Sequence, residues 1–217
     1  MTDAAWVALS LTERIGRKTL EALLRYFDGD LHAILAADSA TLQQVSGVGP
    51  KIAASIQAIN LPTVEKALTY LQQVGVQIST LYDSSYPVSL RRVVDAPPTV
   101  FMRGRWRPEM DRAVAIVGTR EPAPENAAVA RRLAYRLAQQ GYTIVSGLAT
   151  GIDTAAHLGA LEADDGLSVA VLGCGLLNVY PQVNRTLAQQ IMTRGVVLCE
   201  VHPDAPANAA SPQAARA

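Results

Sequence analysis

Apolar positions recur at helical spacing through the first third of the chain. Leu20, Leu23, Leu24 and Phe27 form one stripe, and Ile52, Ala53, Ile56 and Ile59 form another. Gly29-Asp30 and Gly47-Val48-Gly49-Pro50 punctuate these stripes, and Pro62 suits the first turn of a further helix through Val64, Ala67, Leu68 and Leu71. Residues 76–110 lose this periodicity and are expected as a linker with extended segments, broken by prolines. From Ala113 the pattern alternates. Continuous apolar runs end at Gly118, Gly147, Gly173 and Val201, and amphipathic stretches over about 127–140, 154–162 and 185–193 separate them. Short buried runs interleaved with helices predict an α/β domain over 111–201: a Rossmann-like parallel sheet with right-handed crossovers and helices on both faces. A small all-helical domain over 1–75 precedes it. The Ala/Pro-rich stretch 202–217 carries almost nothing to bury and is expected to be disordered.

The sharpest local motif runs from Leu42 to Ile56. A helix ends near Val45, Gly47-Val48-Gly49 turns the chain tightly, and a new helix starts near Pro50. The first amides of that helix have no intrahelical partner and are suited to holding a phosphate, with the Lys51 ammonium in reach. Hydrophobic-Gly-hydrophobic-Gly-Pro-Lys is a helix–hairpin–helix pattern of the SAM-like kind, which grips nucleic-acid backbones without selecting bases. Gly47, Gly49 and Lys51 are its candidate contacts; the plainer reading is a glycine-capped helical turn. Leu11–Leu24 echoes the pattern around Ile15-Gly16-Arg17-Lys18 but lacks the first glycine, and is expected to act only as a packing partner.

In a parallel sheet the turns after the strands emerge together at the carboxyl edge, where ligands bind. Those turns are Gly118–Arg120, Ser146–Asp153 and Gly173–Pro181, all rich in glycine. Their amides and the helix start near Asp153 form an anion-receptive rim, beside which Arg120 adds a fixed charge. Neither GxGxxG nor a Walker lysine is present, which disfavours a bound dinucleotide. Asp153 and His157 lie one helical turn apart, so an acid–base pair is conceivable, but Asp153 as a helix N-cap with His157 packed against the loop is the plainer expectation. Ser146 lacks the GxSxG elbow of a hydrolase. No metal site and no cofactor are expected.

Charge and composition narrow the picture. Net charge is zero, so attraction to nucleic acid must be local. Arg supplies 16 of the 19 basic residues, an excess that suits bidentate phosphate contacts and equally follows from GC-rich coding. Cys174 and Cys199 sit in apolar runs with no CxxC spacing, as expected of buried thiols in a reducing cytosol. No apolar run approaches the roughly 18 residues of a membrane span, and the N-terminus lacks the features of a signal peptide. A cytoplasmic protein is expected.

Four collinear stretches resemble the DprA/Smf (DNA-processing protein A) family. They are Tyr86–Gly104 (YPVSLRRVVDAPPTVFMRG), Val114–Arg120 (VAIVGTR), Gly141–Leu161 (GYTIVSGLATGIDTAAHLGAL) and Val169–Ile191 (VAVLGCGLLNVYPQVNRTLAQQI). The resemblance implies a non-catalytic accessory protein of natural transformation that binds single-stranded DNA, dimerises through its Rossmann-like domain and helps load a RecA-type recombinase. It also implies DNA contacts from Gly118, Thr119, Arg120, Ser146, Gly147, Gly151, Asp153, Gly173, Gly175, Asn184 and Arg185. Two departures stand out. Glu121–Ala128 replaces the family's usual Tyr-Gly helix opening, and the stretch after His202-Pro203 lacks the family's arginine-rich segment and later strands, as in a shortened member with an exposed sheet edge. The alternatives are a nucleotide-acting enzyme using Asp153 or Glu200 on a related Rossmann-like fold, or a truncated remnant that binds no DNA.

Overall fold

The computed structural model describes residues 3–207. The chain divides into two compact units: one runs to Tyr86 and takes in Leu90–Thr99, and the other holds Pro87–Ser89 and the chain from Val100 onward.

The first unit holds α1 (Ala4–Leu11), α2 (Arg17–Tyr26), α3 (Leu31–Ala36), α4 (Ser39–Leu42), α5 (Pro50–Gln57), α6 (Leu61–Gln73) and β1 (Gln77–Thr80). Side-chain oxygens start most of these helices. Asp3, Asp30, Asp38 and Asn60 each accept from amides of the following turn. By contrast α2 and α5 begin at Gly16 and Gly49, which offer no side-chain cap. Pro62 lies in the first turn of α6, where its missing N–H costs nothing. Leu9, Leu20, Leu23, Ile34, Leu42, Ile56 and Leu71 close the core.

A short helix, α7 (Val88–Arg91), and strand β2 (Thr99–Gly104) occupy the stretch expected as a linker. Phe101 and Met102 are buried, and β2 pairs antiparallel with the last strand, Phe101 opposite Cys199 and Gly104 opposite Val196. The sheet is therefore mixed rather than purely parallel.

The rest of the second unit runs β3 (Ala113–Ala115), α8 (Pro124–Gln139), β4 (Thr143–Ser146), α9 (Ile152–Glu162), β5 (Ser168–Leu172), α10 (Arg185–Arg194) and β6 (Val196–Cys199). Its strand order is β2-β6-β5-β4-β3, with β3 to β6 mutually parallel. Each crossover steps in the same direction across the sheet, so right-handed connections bring α8, α9 and α10 onto one face, with α9 packed between the other two. Of the helices expected on both faces, these three line one. On the opposite face at the rim, Ala113, Ala115 and Val117 are exposed, and β3 has one side unpaired among the described residues. Val129 and Leu133 on α8 are also exposed.

Small residues let α8 and α9 approach closely. Ala134 and Ala138 meet Ala156 and Ala160 over Ile144. At Gly159 the α8 backbone comes so near that an added Cβ would collide with the Arg131 carbonyl. His157, fully buried in the same helix, is a core histidine. Ser168 Oγ donates to the Ile144 carbonyl (3.0 Å), so it accepts from His157 Nδ1 at 2.7 Å; Nε2 is then an unprotonated lone pair with no partner among the described residues. Burial holds the imidazole neutral and pulls its pKa down to about 4. The two cysteines are buried free thiols, and burial pushes Cys199 up to about 12.

Two outcomes follow for stability. Gly159→Ala would stabilise an ordinary exposed helix, but here the collision with backbone costs about 1–3 kcal/mol, read as a lower denaturant midpoint. Unfolded His157 takes up a proton below its ordinary pKa of 6.5, whereas the folded state resists until about 4. Its contribution is complete above pH 6.5 and declines by about 3 kcal/mol as the pH falls to 4. Urea unfolding across that window should show this slope in the native chain and a shallower one in His157→Gln; equal slopes would exclude the assignment.

Candidate nucleic-acid interface

The turns after β3, β4 and β5 all leave the carboxyl edge, and two of them pack directly on each other. At Gly118 an added Cβ would lie 2.7 Å from Ile152 Cγ1. Gly151, with φ of 82°, sits where a Cβ would collide with the Thr119 carbonyl, and the Ile152 amide donates to that same carbonyl (3.1 Å). A side chain at Gly151 would be strained twice over, by conformation and by contact. Gly118, Thr119 and Arg120 are exposed, and the Arg120 guanidinium makes no hydrogen bond or ion pair among the described residues. The Arg120 backbone lies against Gly151, the N-cap of α9, a helix start with no side-chain cap.

Several other predicted residues are turned inward. Ser146 Oγ donates to the Ile116 carbonyl at 2.6 Å and ties β4 to the end of β3. Asp153 is not the N-cap. It lies in the first turn of α9, buried, and its Oδ2 accepts from the amides of Gly147 (3.1 Å) and Ala149 (3.3 Å). Asn184, also buried, donates through Nδ2 to the carbonyls of Leu148 (2.8 Å) and Ala149 (3.2 Å) and to Thr154 Oγ1 (2.8 Å). Thr154 in turn donates to the Ala149 carbonyl, and Leu148 is locked at φ 63° with its side chain buried. Asp153 and Asn184 shape the 147–151 loop from behind. Sequence reasoning missed Thr154 and Leu148 as parts of this knot, because only the folded loop brings them to Asn184. His157 bonds to Ser168 rather than Asp153, so the two do not form an acid–base pair.

The third turn has company of a different kind. The stretch after β6, expected to be disordered from residue 202, docks on it through residues 203–205. Gly175 donates to the Ala205 carbonyl (3.0 Å), Leu177 to the Pro203 carbonyl (2.9 Å), and Asn178 Nδ2 to the Asp204 carbonyl (2.8 Å). Pro203 is buried, which residue composition alone did not foretell. The Gly175 and Leu177 amides are thus occupied by protein. The remaining residues of the predicted tail, 208–217, lie outside the described residues. Arg185 is exposed at the start of α10, with Nε 3.5 Å from the Val179 carbonyl.

In the first unit, Gly47 adopts φ of 87° and Gly49 caps α5, the turn expected of the hairpin. Lys51 is exposed and its side chain is unengaged among the described residues. Nor, among those residues, does any group of three or more His, Cys, Asp and Glu stand close enough to hold a metal, and no helix is long and apolar enough to cross a membrane.

Comparison with known proteins agrees with this architecture. Residues 77–213 match the family described as DNA recombination-mediator protein A, and residues 9–58 match the SAM-like helix-hairpin-helix tandem. The Smf protein of Synechocystis sp. is 36% identical over 204 residues, covering 91% of this chain and 50% of its own length. DprA of Bacillus subtilis is 28% identical, with 93% of this chain and 68% of that protein covered. The chain thus spans half the length of the Synechocystis relative. Among solved structures, DprA of Streptococcus pneumoniae superposes with a TM-score of 0.76 at 26% identity, covering 96% of this chain and 71% of that one. DNA processing protein A of Helicobacter pylori, a structure that concerns its single-stranded DNA binding mode, gives a TM-score of 0.53 at 32% identity over 62% of this chain and 60% of that one. On fold, motif order and these similarities together, the chain belongs to the DNA recombination-mediator protein A family, the DprA/Smf proteins.

Proposed function

We propose that the chain binds single-stranded DNA as an accessory factor of DNA processing, acting by capture rather than by turnover. The observation that carries this reading is the Arg120 guanidinium, unengaged among the described residues, on a turn whose backbone packs against the start of α9, where no side chain caps the helix and Gly118, Gly151 and Ile152 lock the loops together. Amides at a helix start and a fixed guanidinium recognise a phosphate, not a base, and so suit a strand of any sequence. Thr119 and Arg120 make the direct contact, with Arg185 supplying a further charge. Ser146, Asp153 and Asn184 hold the loops in shape. Gly173 and Gly175 play a lesser part, since the Gly175 amide already has the Ala205 carbonyl. The Gly47–Lys51 hairpin adds a separate backbone contact in the first unit. Handing the strand to a RecA-type recombinase, and pairing of two copies through the Rossmann-like unit, complete the reading by family likeness.

An acid–base enzyme is the weaker reading, because Asp153 is committed to two amides and His157 is sealed in the core. Titrating a labelled oligothymidylate by fluorescence anisotropy at several salt concentrations tests the proposal. Arg120→Ala should weaken binding and lower the log–log salt slope by about 0.7, the value of one single-strand phosphate contact. A native chain that leaves the oligonucleotide free at low salt would overturn the reading.

A further inference from the structure

The hairpin at Gly47–Lys51 has a geometric duplicate at the start of α2. At one constant offset, Arg14 stands where Gly47 stands, Ile15 where Val48, Gly16 where Gly49 and Lys18 where Lys51. Arg14 takes φ of 69° against 87° for Gly47, so the position that lacks a glycine adopts the left-handed conformation regardless. Gly16 sits at φ −90°, ψ 179° and Gly49 at φ −95°, ψ 178°, both without a side-chain cap. The closing bonds also match: Ile15 donates to the Thr12 carbonyl and Val48 to the Val45 carbonyl, each at 3.0 Å. Ile15 and Val48 are both buried beneath their turns. The first hairpin therefore repeats the backbone of the second, with a helix start that likewise carries no side-chain cap.

What the first hairpin has in addition is a wall of charge. Arg17, Lys18 and Glu21 of α2 face Arg91 and Arg92 at the end of α7 across a groove of about 370 Å³ that lies wholly within the first unit. Four cations meet one carboxylate, in a chain with no net charge. The carboxylate is already spent, since Arg17 Nε holds Glu21 at 2.8 Å. Arg17 also donates to the Val93 carbonyl (3.3 Å), which clips the two sides of the groove together. Arg91 is held too, by the Asp83 carbonyl and over the Tyr86 ring at 5.8 Å. Lys18 and Arg92 are exposed, and neither side chain makes a hydrogen bond or ion pair among the described residues.

We propose that this groove is a second phosphodiester-binding site, in which Lys18 and Arg92 hold a strand phosphate against the amides at the start of α2. The inference rests on the nucleic-acid reading above and deepens it: the tandem of hairpins gives two backbone grips in one small unit. A phosphodiester suits the groove because cations stand on both of its walls, Arg17 and Lys18 on α2 and Arg91 and Arg92 opposite, next to a helix start that no side chain caps. Exposed Val93 and Val94 at the rim offer apolar surface to the sugar or base beside the phosphate.

The test uses the full chain with Lys18→Gln, Arg92→Gln and the double variant, titrated with labelled oligothymidylate across a salt series and, separately, with a labelled poly-glutamate peptide. Each single variant should lower the log–log salt slope by about 0.7 and the double by about 1.4, with thermal unfolding unchanged because neither side chain is bonded. A double variant with native slope and affinity, while Arg120→Ala still lowers the slope, would overturn this site and leave the nucleic-acid reading standing. Absence of oligonucleotide binding by the native chain would overturn both. Peptide binding that depends on Lys18 and Arg92, with oligonucleotide binding indifferent to them, would reassign the groove to an acidic protein partner.

Discussion

The candidate interface depends on one buried carboxylate. Asp153 reaches back from the first turn of α9 to two amides of the preceding loop, and Asn184 grips the carbonyls of the same loop from the other side. Together they satisfy donors and acceptors that a tight buried loop would otherwise leave unpaired, each a cost of about 1–3 kcal/mol. They also spend the inward-facing backbone groups, leaving only the outer surface and Arg120 to meet a ligand. Capture of an anion by a rim of this kind is a matter of preorganisation: the loop is folded before the phosphate arrives, so binding need not order it. A carboxylate so placed is a structural anchor, not a reagent.

Much of the α/β unit was legible because its signals are local. The four apolar runs became β3 to β6, and the amphipathic stretch read as beginning near Ala127 became α8 from Pro124. The hairpin glycines were equally readable, since the positive φ at Gly47 is a property of one residue and its neighbours. What escaped was set by partners distant in sequence. Strand β2 looked like a connector because prolines precede it and its apolar stretch is short, yet Phe101 and Met102 are core residues once β6 lies alongside. Likewise the residues after His202 have little side chain to bury, and it is their carbonyls that dock, through bonds that no hydropathy pattern records. Arg14 shows the limit from the other direction. A missing glycine suggested a missing turn, but the buried Ile15 and the Thr12–Ile15 bond impose the conformation on an arginine, at the modest strain that the left-handed region costs a non-glycine residue.

The electrostatics follow from the same separation of roles. A chain of zero net charge exerts no long-range pull on a polyanion, so recognition must come from places where cations are gathered and their counter-charges are spent internally. Glu21 is neutralised by Arg17, and Glu162, the last residue of α9, is paired with Arg131. Arg120 in one unit and Arg92 in the other are exposed and have no ion pair among the described residues. Charge distributed this way gives little long-range attraction, and any contact made by the free arginines would be screened by salt.

The open rim at β3 has a consequence of its own. Among the described residues one ladder of N–H and C=O groups on β3 has no strand beside it, and Ala115 and Val117 are exposed there, which makes the edge a template for an extended segment of matching pattern. Pairing there would be made by main-chain groups alone, so it would be selected by backbone shape and register more than by side-chain identity.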